Sequence, residues 1–130
     1  MVEEKYCSFE IAKLLKEKKF DIPSLRWYNK DGDVVAKFTT SKTPLDYFRD
    51  EYYYLCPTHQ MALAWLREEK KVFISISAYS GDHYNGYIDA FEVNIYQYAT
   101  TTIVPEEIRV QTNYDVAIES ALKFALEELI

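Results

Sequence analysis

The sequence predicts an α+β fold in which helices cover one side of a mainly antiparallel sheet. Two patterns indicate this class: apolar residues recur at helical spacing in three segments, and they alternate with polar residues in two pairs of shorter segments. The helical segments lie before, between and after the strand pairs, so the predicted order is αββαββα. Strands joined by short turns pair antiparallel, which gives a four-stranded sheet packed with three helices.

Three segments are predicted to be helical. Ser8 and Thr58 precede the first two segments and can cap the free N–H groups of the first turn, and the third segment starts near Asn113 or Thr112. Apolar residues follow at intervals of three or four, and Trp65 in the second segment is predicted to anchor the core. The predicted helices cover residues 8–18, 59–71 and 113–130.

Four segments are predicted to be strands. The first two are joined by a turn containing Asp31-Gly32, which favours a tight hairpin because glycine tolerates a positive φ angle. Residues 41–57 are predicted to be irregular, with either a short helical turn at residues 45–49 or an edge strand at residues 52–54. Residues 99–111 are predicted to be a connection. The predicted strands cover residues 25–29, 34–40, 72–79 and 87–98.

Size and composition favour one domain over residues 1–130. The chain has 130 residues, of which 48% are hydrophobic, enough for one globular core. The N-terminal residues are charged where a secretory signal would be apolar, and no 18-residue apolar span is present. Its 2 cysteines are too few for a disulfide framework. We therefore expect a cytoplasmic protein with reduced thiols and no membrane partner.

The charge and the tyrosine content indicate which partners to expect. A net charge of −6 argues against nucleic acid, because binding to phosphates depends on clustered Lys and Arg. Four lysines do cluster on the first predicted helix, but acids are interleaved with them, which is typical of a solvated helix face. The 12 tyrosines suit half-buried strands and protein interfaces. Protein contacts are therefore favoured over nucleic acid.

One pair of residues suggests nucleophilic catalysis. Cys56 and His59 lie at the start of the second predicted helix, where a thiolate would be stabilised. No third group is fixed to orient them, so we interpret Cys56 as a small buried residue and His59 as a solvent-facing one. A zinc site needs about four ligands, and Cys7, Cys56, His59 and His83 share no zinc-binding spacing. The sequence therefore predicts no metal site and no cofactor.

The remaining candidate motifs also predict no chemistry. Asp31 and Asp33 flank a short turn and fall short of a calcium loop. Asp82 and His83 are adjacent in an exposed hairpin loop, where neighbouring side chains point apart. Glycine-rich phosphate loops and a nucleophile elbow are absent from the sequence. No catalytic residue is predicted.

The alternation in the second strand pair predicts one distinctive surface. If helices cover the side that carries Ile74 and Ile76, the opposite side presents aromatic rings beside small polar residues. Such a flat patch can bind a partner protein, a second copy of the chain or a ligand. The predicted binding residues are Phe73, Ser75, Ser77, Tyr79, Asn94 and Tyr96.

Three segments of the chain carry a family resemblance: residues 8–18, residues 56–69, which read CPTHQMALAWLREE, and residues 114–130. They resemble a family of small proteins from gut bacteria and from their phages and mobile elements. Together they span the three predicted helices, and the shared motifs are helix-packing patterns rather than site signatures. No activity is assigned to the family. The resemblance implies an accessory protein of a phage or mobile element.

These observations together predict a non-enzymatic protein-binding accessory protein of unknown partner, with a homodimer through the tyrosine-bearing sheet face as one form. One alternative is an acidic decoy that occupies a host nucleic-acid-binding protein. A second alternative is a small cysteine-dependent enzyme that uses Cys56. The acids that the decoy would use are Glu106, Glu107, Asp115, Glu119, Glu127 and Glu128, against Arg109 and Lys123.

Overall fold

The computed structural model of the chain describes residues 5–22, 24, 26–35, 53–78, 90–97 and 100–130. Its helices and antiparallel strands confirm the predicted α+β class. The helices are α1 (Phe9–Glu17), α2 (His59–Glu69), α3 (Glu106–Arg109) and α4 (Tyr114–Phe124), and π-helical turns over Ala125–Leu129 extend α4. The strands are β1 (Trp27–Asn29), β2 (Val34–Val35), β3 (Tyr53–Leu55), β4 (Val72–Ala78), β5 (Phe91–Gln97), β6 (Thr100–Thr102) and β7 (Val110–Gln111).

The three longer helices begin where the sequence supplies a capping side chain. The side chains of Ser8, Thr58 and Asn113 each accept a hydrogen bond from the backbone N–H three residues further on. Such a bond satisfies one of the N–H groups that the first helical turn leaves unpaired. The predicted starts of the first two helices are therefore confirmed. Among the described residues, no helix combines the length and apolar character that crossing a membrane requires.

The described strands form two sheets rather than one. Sheet A has the order β2-β1-β3, and in sheet B the order is β4-β5-β6, with β7 also paired to β5. Every strand pairing is antiparallel. The four-stranded sheet therefore contains the second predicted hairpin, but its other two strands come from residues 99–111. The first hairpin pairs instead with β3, close to the edge strand considered at residues 52–54.

Strand β6 was not predicted because it consists of three threonines, Thr100–Thr102. Threonine favours strands through its β-branched side chain, but a run of threonines shows no alternation of apolar and polar residues. Strand β7 has two residues, too few for a periodic pattern. Several predictions fall outside the described residues: the end of the second strand at residues 36–40, most of the irregular segment at residues 41–52, Tyr79, the hairpin loop at residues 80–86, and residues 87–89 and 98 of the fourth predicted strand.

The core lies between the helices and sheet B, and α1 links this region to sheet A. Helices α2 and α4 pack on β4 and β5, while α1 contacts both β3 and α4. Trp65 on α2 is buried and packs edge-on against Phe20, with 5.3 Å between ring centroids. Trp27 of β1 is fully buried. The prediction that Trp65 anchors the core is confirmed.

Candidate functional sites

The pairing of β4 with β5 aligns the predicted binding residues in rows. Phe73 pairs with Tyr96, and Ser75 pairs with Asn94. Directly paired residues of antiparallel strands project to the same side of a sheet. Ser77 and Glu92 form a further row, and Thr101 of β6 extends the first row beyond Tyr96. We call this surface the aromatic face; it comprises Phe73, Ser75, Ser77, Glu92, Asn94, Tyr96 and Thr101.

The aromatic face is more exposed than the other side of the same strands. Phe73 is 43% exposed and Tyr96 is 41% exposed. Ile95 and Val93, which alternate with Tyr96 and Asn94 along β5, are fully buried. The two rings lie side by side, so they form a contiguous aromatic patch rather than scattered apolar residues. Five of the six predicted binding residues therefore share one exposed surface, while Tyr79 lies outside the described part of the chain.

The aromatic face is almost free of charge. Its first row is aromatic, its middle row of Ser75 and Asn94 is polar and neutral, and its third row carries Glu92 as the one charged side chain of the face. A groove of about 370 Å³ borders the face at the outer edge of β4, where Leu63 and Arg67 of α2 form the far wall. The face thus presents neutral hydrogen-bonding groups beside two rings.

A second cluster lies where the N-terminal segment, α2 and α4 meet. The sulfur of Cys7, a ring nitrogen of His59 and a carboxylate oxygen of Glu119 all lie within 4.8 Å of one another. Backbone hydrogen bonds hold the N-terminal segment beside the start of α2: the N–H of Cys7 donates to the carbonyl of Pro57, and the N–H of His59 donates to the carbonyl of Lys5, each at 2.9 Å. We call Cys7, His59 and Glu119 the junction.

Glu119 is the hydrogen-bonding centre of the junction. Its Oε2 lies 2.7 Å from Nε2 of His59 and accepts a 3.2 Å hydrogen bond from the backbone N–H of Ser8. Burial raises the pKa of Glu119, but the hydrogen bonds from His59 and Ser8 outweigh burial, so the pKa lies below its ordinary value. The carboxylate is therefore ionised in the neutral pH range although its side chain is only 28% exposed.

The structure contradicts the prediction that His59 faces solvent. His59 is 4% exposed, because the carboxylate of Glu119 gives its ring a partner inside the protein. Its other ring nitrogen, Nδ1, is buried and has no hydrogen-bond partner among the residues that the structure describes. In the decoy alternative, Glu119 is one of the acids predicted to lie on an acidic surface. No local pattern could pair it with a histidine 60 residues away.

Both thiols are buried beside the junction. The Sγ of Cys7 lies 3.9 Å from the carbonyl oxygen of Thr58, and the Sγ of Cys56 lies 3.6 Å from the carbonyl oxygen of Cys7. Burial is the main cause that raises the pKa of each thiol, and the charge of Glu119 adds to it. A buried, protonated thiol is a poor nucleophile. The interpretation of Cys56 as a small buried residue is confirmed.

The other charged residues among the sequence predictions are either exposed or hydrogen-bonded within the fold. Glu119 faces the junction and so is withdrawn from the predicted acidic surface, whereas Glu127 and Glu128 are exposed. On α1, the Nζ of Lys16 donates to the carbonyl of Tyr53 at 2.6 Å. The nearby Lys18 donates to the carbonyl oxygen of the C-terminal residue at 2.7 Å. Asp82 and His83 lie outside the described residues.

Comparisons with protein-family models, with curated proteins and with solved structures find no match to this chain. The resemblance to proteins of gut bacteria and their phages therefore stays a prediction. Any conclusion about function therefore rests on the chemistry of the aromatic face and of the junction.

Proposed function

We propose that the chain is a non-enzymatic protein-binding protein, and that its aromatic face binds the same face of a second copy. The observation that carries this proposal is the cross-strand pair of Phe73 and Tyr96, which are 43% and 41% exposed on the side of sheet B opposite the buried Val93 and Ile95. Aromatic residues are enriched at protein interfaces, where they contribute most to affinity when they become fully buried.

The charge distribution supports a second copy as the partner. The chain carries a net charge of −6, so two copies repel one another at long range. The middle row of the aromatic face, Ser75 and Asn94, is neutral. It lies between the aromatic row and the row that contains Glu92. Two such faces can therefore meet without placing like charges opposite each other in a desolvated interface, which would be costly.

The order of the rows supports a symmetric arrangement. Most homo-oligomers are two-fold dimers in which the same patch of each subunit forms the interface. A two-fold axis through the row of Ser75 and Asn94 would place the aromatic row of one copy over the row of Ser77 and Glu92 of the other. The two rings of one copy then lie beside those of the other copy rather than over them, as in packed sheets whose side chains interdigitate. The hydroxyl of Tyr96 would also come within reach of the carboxylate of Glu92 in the other copy.

The state of the thiols supports a non-enzymatic role over the cysteine-dependent alternative. A nucleophilic cysteine needs access to substrate and a group that stabilises its thiolate. Cys56 is fully buried, burial raises its pKa, and the histidine that the sequence places near it is hydrogen-bonded to Glu119. Cys56 therefore lacks access to substrate, and burial outweighs the stabilisation of its thiolate by Tyr28 and Arg26.

Light scattering over a concentration series tests the proposal. We expect the wild-type chain to approach twice 15.3 kDa with rising concentration, and the Tyr96→Ala variant to stay near 15.3 kDa. Tyr6→Ala is the matched control, because Tyr6 is 36% exposed but lies away from the aromatic face. This control should associate like the wild type. A monomeric wild type at millimolar concentration, or equal association of all three proteins, would overturn the proposal.

Salt separates this proposal from the acidic decoy. An interface built on a neutral aromatic surface should keep its affinity, within about threefold, when salt is raised from 0.1 M to 1 M, since screening acts mainly on exposed charges. A decoy bound to a basic protein through exposed acids such as Glu127 and Glu128 would lose affinity steeply over the same range. A monomeric chain that captures a basic protein only at low salt would favour the decoy.

A further inference from the structure

The junction has the donor set of a transition-metal site. Cys7 offers a sulfur, His59 a ring nitrogen and Glu119 a carboxylate oxygen, and these are the ligand types that zinc binds in proteins. The three residues come from different parts of the chain and converge at one point through the pairing of the N-terminal segment with residues 57–59 and the packing of α4. We propose that the junction binds one divalent ion with the ligand preference of zinc.

The spacing of the donors supports this proposal. Zinc lies about 2.3 Å from sulfur and about 2.0–2.2 Å from nitrogen or oxygen, so tetrahedral neighbours are roughly 3.3–3.8 Å apart. The three donors of the junction lie within 4.8 Å of one another. Side-chain movements of about 1 Å would therefore bring them into a first coordination shell. Glu119 is the most exposed of the three, so water can reach a fourth position from its side.

The hydrogen bond between His59 and Glu119 already points two of the donors at one place. Nε2 of His59 lies 2.7 Å from Oε2 of Glu119, and this hydrogen bond requires a proton between the two atoms. A metal ion that takes the place of this proton can bind both atoms once they move apart.

Binding of the ion displaces protons from the junction. The ion accepts electron pairs from Sγ of Cys7, Nε2 of His59 and a carboxylate oxygen of Glu119. The thiol proton of Cys7 leaves for the solvent. The proton shared between His59 and Glu119 either leaves for the solvent or moves to Nδ1 of His59. Metal binding to thiols and imidazoles commonly displaces protons in this way, so the affinity should rise with pH.

Cobalt titration of the chelator-treated protein tests the proposal. We expect one Co²⁺ per chain, a thiolate-to-cobalt charge-transfer band, and displacement of the cobalt by one equivalent of Zn²⁺. The wild-type spectrum alone decides whether a thiolate ligates the ion, so the test does not depend on a variant that fails to fold. A wild type without a charge-transfer band would overturn the proposal and leave the junction as a hydrogen-bonded structural network.

Two cysteine variants identify the sulfur ligand. Cys7→Ser should abolish the charge-transfer band and weaken Zn²⁺ binding by more than about 100-fold, beyond the loss typical of an outer-shell partner. Cys56→Ser is the matched control, because Cys56 is equally buried but is not one of the three clustered donors. Retention of the band in Cys7→Ser, or its loss in Cys56→Ser alone, would contradict the assignment.

Discussion

The junction buries its polar groups, whereas the aromatic face leaves polar groups in contact with water. At the junction, the ring of His59 and the carboxylate of Glu119 are drawn inside and bonded to each other, and this bond connects α2 to α4. On the aromatic face, polar groups such as Ser75 stay in contact with solvent, and both rings are more than 40% exposed. The comparison indicates that the junction holds the fold together, whereas the face is available for binding.

Strand β5 contains the same contrast between adjacent residues. Ile95 is fully buried under α4, while Tyr96 is 41% exposed on the opposite side. Alternation along a strand sends successive side chains to opposite sides of the sheet. One strand therefore contributes both to the stability of the core and to the proposed interface, and substitutions at the two positions can separate these contributions.

The largest effect on stability is expected from Ile95→Ala. Removing a fully buried isoleucine side chain should lower the free energy of unfolding by about 2–5 kcal/mol, because it loses apolar burial and leaves a cavity. Tyr96→Ala should lower it by less than about 1.5 kcal/mol, since much of the ring already contacts water. Urea unfolding monitored by circular dichroism compares the two variants. Equal losses of stability would remove the distinction between the two sides of sheet B.

Glu119→Ala should destabilise the protein by about 2–4 kcal/mol in the presence of a chelator. The substitution leaves the N–H of Ser8 and the ring of His59 without their acceptor, and each unsatisfied buried group costs roughly 1–3 kcal/mol. Glu127→Ala is the control, because Glu127 is exposed on the same helical region and should change stability by less than about 0.5 kcal/mol. Similar unfolding midpoints for the two variants would mean that the junction does not support the fold.

A smaller effect is expected at the start of α2, where Thr58 caps the helix beside the junction. Thr58→Ala should cost about 1 kcal/mol, because the N–H of Met61 loses its acceptor. Thr58→Ser keeps the hydroxyl and should restore most of the stability. Thermal unfolding of the two variants checks this expectation. Equal destabilisation by alanine and serine would show that the methyl group of Thr58, rather than its hydroxyl, matters here.

The aromatic face could be predicted from the sequence because it depends on a local pattern. Alternation along residues 72–78 and 91–97 fixes which side chains share a face, and an antiparallel pairing then aligns Phe73 with Tyr96. The pairing with Thr101 was missed, since three threonines in a row show no alternation.

The junction could not be predicted because no local pattern connects its members. Cys7 and His59 are 52 residues apart, and His59 and Glu119 are 60 residues apart. Their proximity depends on how the N-terminal segment and α4 pack against the start of α2, which is a property of the whole core. Glu119 also follows the usual pattern of an exposed helical acid. Its role appears only when the inward-facing His59 is placed opposite it.

Chemical cross-linking through Ser75 tests most directly whether the aromatic face is the site of self-association. Ser75 lies in the middle row, so a two-fold axis there brings the two Ser75→Cys thiols close enough for a cross-linker spanning about 10 Å, the spacing of packed sheets. Cys7 and Cys56 are buried and should not react. We predict a cross-linked species of twice 15.3 kDa that Tyr96→Ala suppresses. Equal cross-linking by Glu106→Cys, placed on α3 away from the face, would contradict the account.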